Sequence, residues 1–268
     1  MNNEQRYFEV NRALWNEKTR HHTTSDFYNM KSFMVGASSL QQPELELLGD
    51  VNGKSVLHLQ CHFGQDSLSL ARMGASVTGT DISDTAIEYA KQLNAQLGLD
   101  ATFVVSDTYS VPGKVKEQFD IVFTTYGVIG WLPDMNRWAD VIAKMLKPGG
   151  RLVFVEFHPA VWMFDNAFTH VQHSYFNRGP IIEELQGTYA DRNTDIQMKE
   201  IGWNHPIADV LQGLLDAGMT LQTFKEYDYS VYDCFHNTIE ISPGKWQIKG
   251  MEGKLPMMYT LSAYKQYD

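Results

Sequence analysis

The feature that most constrains the fold is a regular alternation, between residues 54 and 158, of short apolar runs and segments of helical periodicity. Such alternation is typical of repeated βα units that build a parallel sheet. The apolar runs are rich in Val, Ile, Phe and Thr, as expected for strands that helices cover on both faces. They span residues 55–60, 75–81, 101–107, 119–126 and 151–158.

Capping signals mark the helices. Ser83 and Asp134 are candidate N-caps, and the Lys-Pro-Gly-Gly sequence at 147–150 ends the helix that follows Asp134. Asn204, with Pro206 in the first turn, is expected to start a later helix. Each helix therefore begins or ends close to a predicted strand, as a βα repeat requires.

Two more apolar runs, near 219–226 and 257–265, would complete a mostly parallel sheet of seven strands with helices on both faces. This predicts a Rossmann-like, doubly wound α/β fold. Residues 1–50 do not follow the repeat and are expected to form an N-terminal helical cap on a domain spanning 51–268. Residues 159–202 follow the fifth strand and are rich in aromatic residues and His without helical period, which predicts a lid or acceptor pocket.

Composition narrows the function. The chain has 22 Lys plus Arg against 32 Asp plus Glu, a net charge of −10, and no basic cluster, so a nucleic-acid backbone is an unfavourable partner. Two cysteines, a charged N-terminus and no long apolar run predict a cytoplasmic protein without a membrane span. A small molecule is the expected substrate.

Polar residues at the predicted strand ends indicate a nucleoside-type ligand. Asp81 ends the second strand 17 residues after Gly64 in the first βα turn, and its carboxylate can accept two hydrogen bonds from a ribose diol. The N–H groups that open the helix after Gly64 can hold the anionic end of the ligand. Asp107 ends the third strand, where it can accept from an adenine amino group or form an Asx turn before Thr108.

Together with L-K-P-G-G at 146–150, this order resembles the class I S-adenosylmethionine-dependent methyltransferases. In that family V-L-D-L-G-C-G-x-G follows strand one, an acidic residue ends strand two, an Asp ends strand three, and L-K-P-G-G precedes strand five. The resemblance covers roughly residues 53–158 and implies S-adenosyl-L-methionine as cofactor and methyl transfer as activity. It implies cofactor contacts from Gln60, Cys61, His62, Gly64, Asp81, Ile82, Ser83, Asp107, Thr108 and Tyr126.

The loop departs from the family pattern at three positions. His58 stands where Asp is usual, and Gln60 and His62 stand where Gly is usual, while Gly64 keeps its place. The string L-H-L-Q-C-H-F-G resembles the loop of a branch of largely uncharacterised bacterial class I enzymes. The strings W-L-P-D (131–134), E-x-H-P (156–159) and W-N-H-P (203–206) also resemble that branch. Two interpretations stay open: a working subfamily variant, or a degenerate loop in a non-enzymatic protein that binds S-adenosylmethionine or a related nucleoside.

Other ligands fit the sequence less well. The loop lacks the G-x-G-x-x-G that brings a pyrophosphate close to the backbone, and Asp66 would repel a pyrophosphate but tolerate the ammonium of methionine. His170 and His173 form an isolated H-x-x-H, so no metal site is expected, and methyl transfer needs none. Cys61 has no general base at a recognisable spacing and is interpreted as a small buried filler.

Two residues are candidates for catalysis. Tyr126, at the end of strand four, could present its ring to the sulfonium cation or serve as core packing. His158, at the end of strand five, could take a proton from an acceptor hydroxyl or hydrogen-bond a backbone carbonyl. His22 and Tyr175 are weaker alternatives for the base.

Aromatic residues suggest the nature of the acceptor. Six of them indicate an aromatic or apolar small molecule, or else the core of the lid: Trp131, Trp162, Phe164, Phe168, Tyr175 and Trp203. Trp15, Tyr28 and Phe33 either cover the cofactor or form a docking surface for the first helix.

Overall fold

The computed structural model describes residues 3–192 and 194–267. Its strands are β1 Ser55–Leu59, β2 Ser76–Asp81, β3 Thr102–Val105, β4 Phe119–Thr125, β5 Leu146–Phe157, β6 Ile181–Gln186, β7 Gln197–Gly202, β8 Met219–Tyr227, β9 Thr238–Ser242, β10 Lys245–Ile248 and β11 Met258–Lys265. Its α-helices are α1 Asn3–His22, α2 Met30–Met34, α3 Gln42–Leu48, α4 Gln65–Arg72, α5 Asp84–Leu97, α6 Val111–Lys114, α7 Met135–Met145 and α8 Ile207–Asp216.

Seven strands form the central sheet in the order β3-β2-β1-β4-β5-β11-β8. The pairs from β3 to β5 are parallel, and β11 runs antiparallel to both of its neighbours. The prediction of a mostly parallel, seven-stranded Rossmann-like sheet is confirmed. Because β1 lies between β2 and β4, the strand order reverses at the carboxyl end of β1, which is where open α/β sheets bind ligands.

Alternate residues of the strands face two hydrophobic clusters on opposite sides of the sheet. In β1, Val56 packs into the cluster that includes residues of α4 and α5, and Leu57 packs into the cluster that includes residues of α7 and α8. In β5, Val153 and Phe154 divide in the same way. Helices therefore cover both faces, as the continuous apolar runs predict.

Two predicted capping residues, Ser83 and Asp134, act as expected. The Ser83 hydroxyl accepts from Ala86 N at the start of α5, and Asp134 accepts from the N–H groups of Asn136 and Arg137 at the start of α7. α7 ends at Met145, with one residue between it and the Lys-Pro-Gly-Gly sequence. That sequence lies in β5, beside a register shift in its pairing with β4.

One expectation at the later helix needs correction, and two hairpins were not predicted. α8 begins at Ile207 with Pro206 as its N-cap, while the Asn204 amide donates to the carbonyls of Pro159 and Ser174, so it ties the lid segment instead of starting the helix. Residues 159–202 contain the antiparallel β6–β7 hairpin, and β9 and β10 form a second hairpin; neither was predicted.

No helix in the described part of the chain is long and apolar enough to cross a membrane.

Candidate cofactor and acceptor site

A cavity of about 930 Å³ opens at the carboxyl ends of the central strands. The loop after β1 and the ends of β2, β3 and β4 form one half of its wall, which we call the cofactor half. α1 and the segment from residue 159 to 205 contribute most of the other half, which we call the acceptor half. The volume lies near the upper end of the range of typical ligand pockets, which is about 300–1,000 Å³.

The loop after β1 keeps a glycine-like backbone without the usual glycines. Gln60 has φ 55° and His62 has φ 50°, both in the left-handed region that favours glycine, and Gly64 has φ 82°. Each non-glycine residue in this region costs on the order of 1 kcal/mol or more, so the surrounding contacts must stabilise the loop. One such contact is from Gln60 Nε2 to the carbonyl of Val128, at 2.8 Å.

Two polar atoms of this loop are buried without a partner in the described residues: Gln60 Oε1 and His62 Nδ1. Buried polar atoms are normally hydrogen-bonded, so each atom left unpaired calls for a partner. Both side chains belong to residues that line the cavity. A ligand seated against the loop could supply these partners.

Gly64 is required by packing as well as by its backbone. A Cβ at this position would lie 2.8 Å from the Phe103 ring and 3.0 Å from Ala90 Cβ. The glycine therefore lets the loop pass directly over β3 and α5, at the start of α4. Asp66, in the first turn of α4, accepts a hydrogen bond from Ser39 at 2.6 Å, and burial raises its pKa.

Asp81 is held at the cavity edge by two backbone groups. Its Oδ2 accepts from His62 N and its Oδ1 from Ser83 N, both at 2.8 Å. Burial raises its pKa to about 6, and the backbone N–H groups oppose that rise. Each carboxylate oxygen has a second lone pair, so this oriented side chain can still accept from ligand hydroxyls.

The remaining candidates of the cofactor half divide into two sets. Ile82, Asp107 and Thr108 line the cavity, and Asp107 also accepts from Ser110 N, as the Asx-turn alternative expects. Ser83 is not among the lining residues, because its hydroxyl caps α5 and donates to Asn16. Cys61 lines the cavity but is buried, which raises the pKa of its thiol and fits the filler interpretation.

Tyr126 lies in the cavity wall with a left-handed backbone, φ 50°. Its hydroxyl donates to the carboxyl group of Glu44, and its ring meets that of Tyr232 edge-on, with centroids 5.0 Å apart. Burial, followed by the charge of Asp66, raises the pKa of Glu44 to about 8. Glu44 was not predicted from the sequence, although it completes a capping box at the start of α3.

His158 does not have the position that a catalytic base needs. Its Nδ1 accepts from Ala160 N at 3.0 Å and its Nε2 pairs with Glu226 Oε1 at 2.9 Å, so both ring nitrogens are engaged. It is not among the residues that line the cavity. The prediction that His158 acts as general base is therefore withdrawn in favour of a structural role. In that role the ring pairs with the carboxylate of Glu226, whereas the sequence analysis expected a backbone carbonyl.

The weaker candidates for the base also change. His22 Nδ1 lies 3.0 Å from His62 Nε2, and burial lowers the pKa values of these residues to about 2 and about 3, so both rings are neutral. The Tyr175 hydroxyl accepts from Ile207 N at 3.4 Å and does not line the cavity. Of the other predicted aromatic residues, five line the cavity: Trp131, Trp162, Phe164, Phe168 and Trp203.

Glu156, from the E-x-H-P string, has a role that sequence analysis missed. Its buried carboxylate accepts from the consecutive N–H groups of Gly127, Val128 and Ile129, the last two at 2.8 and 3.1 Å. These bonds fix the loop after β4, whose Val128 carbonyl accepts from Gln60. Glu156 therefore couples the loop after β4 to the loop after β1.

The buried face of α1 is polar. Asn11, Leu14, Lys18 and His22 lie on one helical stripe and are buried, and three of these four side chains are polar. Asn11, Lys18 and His22 are spaced by 7 and 4 residues, and this helical spacing could have predicted that they share one face of α1. Trp15 contacts His62 and Trp131 edge-on, with centroids 5.2 and 5.4 Å apart, which places α1 over the loop after β1.

The other covering residues occupy distinct positions. Tyr28 packs against Phe63 with ring centroids 4.7 Å apart, and its hydroxyl pairs with Tyr189 at 2.5 Å. Phe33 is buried in the core cluster beneath α4.

Among the described residues, no group of three or more His, Cys, Asp or Glu side chains could hold a metal ion.

Comparison with known proteins agrees with this fold. Residues 56–150 match the family described as a methyltransferase domain. The chain is 33% identical over 110 residues to a ubiquinone biosynthesis O-methyltransferase of Photorhabdus laumondii. The matched segment covers 41% of this chain and 45% of that protein. It is 36% identical over 104 residues to the protein of that name in Coxiella burnetii, covering 39% and 44%. The chain thus spans less than half the length of these curated relatives.

A solved structure extends the likeness beyond the matched segment. The S-adenosylmethionine-dependent methyltransferase from Mesorhizobium loti superposes with a TM-score of 0.56 at 18% identity, and the match covers 87% of this chain and all of that one. At this identity the comparison shows the fold. Residues 56–150 are thus similar to a methyltransferase domain, and most of the chain has the fold of this solved methyltransferase.

Proposed function

We propose that this protein transfers a methyl group from S-adenosyl-L-methionine to a small-molecule acceptor with an aromatic or apolar body. The observation that carries the proposal is the oriented carboxylate of Asp81, which lies at the strand-order reversal and is aligned by the N–H groups of His62 and Ser83. A ribose diol is the ligand group that such a carboxylate recognises in nucleoside-binding α/β folds.

The cofactor half offers suitable groups for each end of the proposed cofactor. Asp107, with Ile82 and Thr108 beside it, is proposed to hold the adenine. The loop of Gln60, Cys61, His62 and Gly64 is proposed to contact the methionyl end, where Gln60 Oε1 and His62 Nδ1 have no partner among the described residues. Asp66 is proposed to face the methionyl ammonium, because this residue lines the cavity and a carboxylate attracts a cation.

We interpret the loop as a working variant rather than a degenerate one. Gln60 and His62 adopt the left-handed backbone that glycines usually provide, so the backbone path is kept. Their side chains are also integrated into the structure, Gln60 through Val128 and His62 through His22 and Trp15. A decayed loop would not be expected to retain both features.

When bound, the cofactor supplies a methyl carbon on a sulfonium, from which an acceptor lone pair takes the methyl group as sulfur keeps the C–S electron pair. The residues of the chain align the reactants and exclude water. Alignment of two reactants can lower the activation barrier by about 7–11 kcal/mol. The ring of Tyr126, fixed by Glu44 and Tyr232, is proposed to favour a cation at this point of the wall.

The acceptor half supports a small, largely apolar acceptor. Its aromatic lining includes Trp131, Trp162 and Trp203, and residues 1–50 and 159–202 both contribute to this wall. We propose that these two segments form the acceptor side and close over the ligands. The net charge of −10 also favours a small molecule over a nucleic acid.

The experiment has two stages. Calorimetry with S-adenosylhomocysteine first measures binding, and incubation with labelled S-adenosylmethionine and a fractionated bacterial metabolite extract then measures transfer of the label. We expect binding and label in at least one small-molecule fraction. Absence of binding would contradict the proposal, and binding without transfer to any fraction would favour the non-enzymatic binding protein.

A further inference from the structure

The acceptor half contains a buried cation for which the function proposed above assigns no role. Lys18 is only 4% exposed and lines the cavity. Its ammonium lies 5.0 Å from the ring centroid of Trp15 and 5.1 Å from that of Trp131. A buried ammonium is costly unless its charge and its three N–H donors are satisfied.

Among the residues that the structure describes, Lys18 has too few partners. Its ammonium forms an ion pair with Glu200 Oε2 at 3.7 Å, which is longer than an N–H···O hydrogen bond. Within the described residues, its ammonium has this ion pair and the two Trp rings, which accept no conventional hydrogen bond. Burial lowers the pKa of Lys18, as expected for an incompletely satisfied cation. Its donors remain available to a ligand in the cavity.

The walls around Lys18 favour a flat ligand. Trp131 is fixed by a hydrogen bond from its Nε1 to the carbonyl of Gly127 at 2.7 Å. Trp203 is held by a backbone hydrogen bond to Gly130 at 2.8 Å and packs edge-on against Tyr7. These rings are anchored before any ligand arrives, so a planar group can be bound at a low cost in conformational entropy.

We propose that Lys18 recognises an acidic oxygen of the methyl acceptor, a carboxylate or phenolate carried on an aromatic ring. This inference rests on the proposed function, because it assigns a substrate class to the acceptor half of the same cavity. The ammonium would donate hydrogen bonds to the anionic oxygen, and the Trp rings would pack against the aromatic body. Charge-assisted bonds of this kind are stronger than neutral ones.

A cationic acceptor fits the same wall less well. Glu183 and Glu200 line the cavity and could attract an amine. However, Glu200 faces Lys18, and Glu183 already accepts from Gln172 and pairs with His173, at 3.3 and 3.2 Å. An ammonium placed beside Lys18 would meet a like charge where little water screens the repulsion.

The test compares three aromatic probes of similar size and different charge: benzoate, benzamide and benzylammonium. Binding is measured by NMR titration on protein saturated with S-adenosylhomocysteine, for the wild type, for Lys18→Met and for Lys31→Met. Lys31 is an exposed lysine on α2 and serves as the matched control. We expect benzoate to bind at least about tenfold more tightly than benzamide. The preference should disappear in Lys18→Met and persist in Lys31→Met.

A second variant keeps the test valid if Lys18→Met does not fold. Glu200→Gln removes the carboxylate that faces Lys18 and should strengthen benzoate binding. Tighter binding of benzylammonium, no preference among the three probes, a preference retained in Lys18→Met, or weaker benzoate binding by Glu200→Gln would each overturn the inference. Failure of the wild type to bind S-adenosylhomocysteine would instead contradict the proposed function, so the two failures are distinguishable.

Discussion

The cofactor half and the acceptor half of the cavity are assembled in different ways. In the cofactor half, the loop after β1 meets Asp81 only 19 positions along the chain, through the His62 N–H group. In the acceptor half, Asn11 of α1 pairs with Ile201 of β7, 190 positions away. The first half is therefore built by neighbouring βα units, and the second by contacts between segments that are remote in sequence. Substitutions that affect only one of the two halves test this difference.

The largest effect is expected from Gly64→Ala in the cofactor half. The new Cβ would clash with Phe103 and the backbone would be strained, so we expect a loss of stability of about 2–5 kcal/mol and impaired cofactor binding. Gly98→Ala is the matched control, because Gly98 also has a positive φ but has no atom within 4 Å of the added Cβ. Urea unfolding measures both variants. Equal losses would show that packing over Phe103 does not constrain the loop.

An intermediate effect is expected from Asn11→Ala in the acceptor half. The change leaves the N–H and carbonyl groups of Ile201 without their side-chain partner, at a cost of about 1–3 kcal/mol. Hydrogen exchange should become faster in β7 and stay slow in β1 and β4, because only the contact between α1 and β7 is broken. Arg12→Ala, at an exposed position on the same helix, is the control. Faster exchange throughout the sheet would mean that the two halves are not separable.

A pH-dependent effect is expected from Glu44, which lies behind Tyr126. Burial raises its pKa from 4.5 to about 8, so between these values the folded protein holds a proton that the unfolded chain releases. Stability should therefore fall as pH rises through this window, by up to about 1.4 kcal/mol per pH unit, and level off above it.

Glu44→Gln should remove this loss, and Glu46→Gln, at an exposed position on the same helix, should keep it. The comparison is made by urea unfolding at pH 6.5 and pH 8, because buried histidines with lowered pKa values affect stability below about 6.5. Identical pH profiles for wild type and Glu44→Gln would show that Glu44 is ionised in the folded protein at neutral pH.

The smallest effect is expected from restoring glycines in the loop after β1. The double variant Gln60→Gly, His62→Gly relieves two left-handed backbones but removes the bond to Val128 and the contacts with His22. We expect affinity for S-adenosylhomocysteine to stay the same or to fall by less than about tenfold. Asn237→Gly, at an exposed left-handed residue, controls for relief of strain alone. Tighter binding by the double variant would favour a degenerate loop.

The sequence was sufficient for the features that depend on neighbouring residues. Ser83 and Asp134 cap the helices they precede, and the central strands alternate with helices as their periodicity predicts. The position of Asp81 in the cavity wall could be predicted because a strand end fixes its place in the sheet. These features depend on hydrogen bonds and burial within one or two βα units.

The features that were missed depend on long-range partners. Lys18 and Glu200 are brought together by the packing of α1 against β7. Glu156 contacts the loop after β4 because β5 pairs with β4, and its string gave no sign of the three backbone partners in that loop. His158 looked available for proton transfer because Glu226, its partner in β8, lies 68 positions away. Periodicity cannot show which remote side chain satisfies a buried polar group.

The central claim, that the cofactor half binds S-adenosylmethionine through Asp81, is tested most directly by calorimetry with S-adenosylhomocysteine on wild type and Asp81→Ala. Loss of a charged acceptor for two ribose hydroxyls should lower affinity at least about tenfold, since each such bond contributes roughly 1.5–3 kcal/mol. Asp100→Ala, at an exposed position, should bind like the wild type. Unchanged affinity in a folded Asp81→Ala protein would contradict the account.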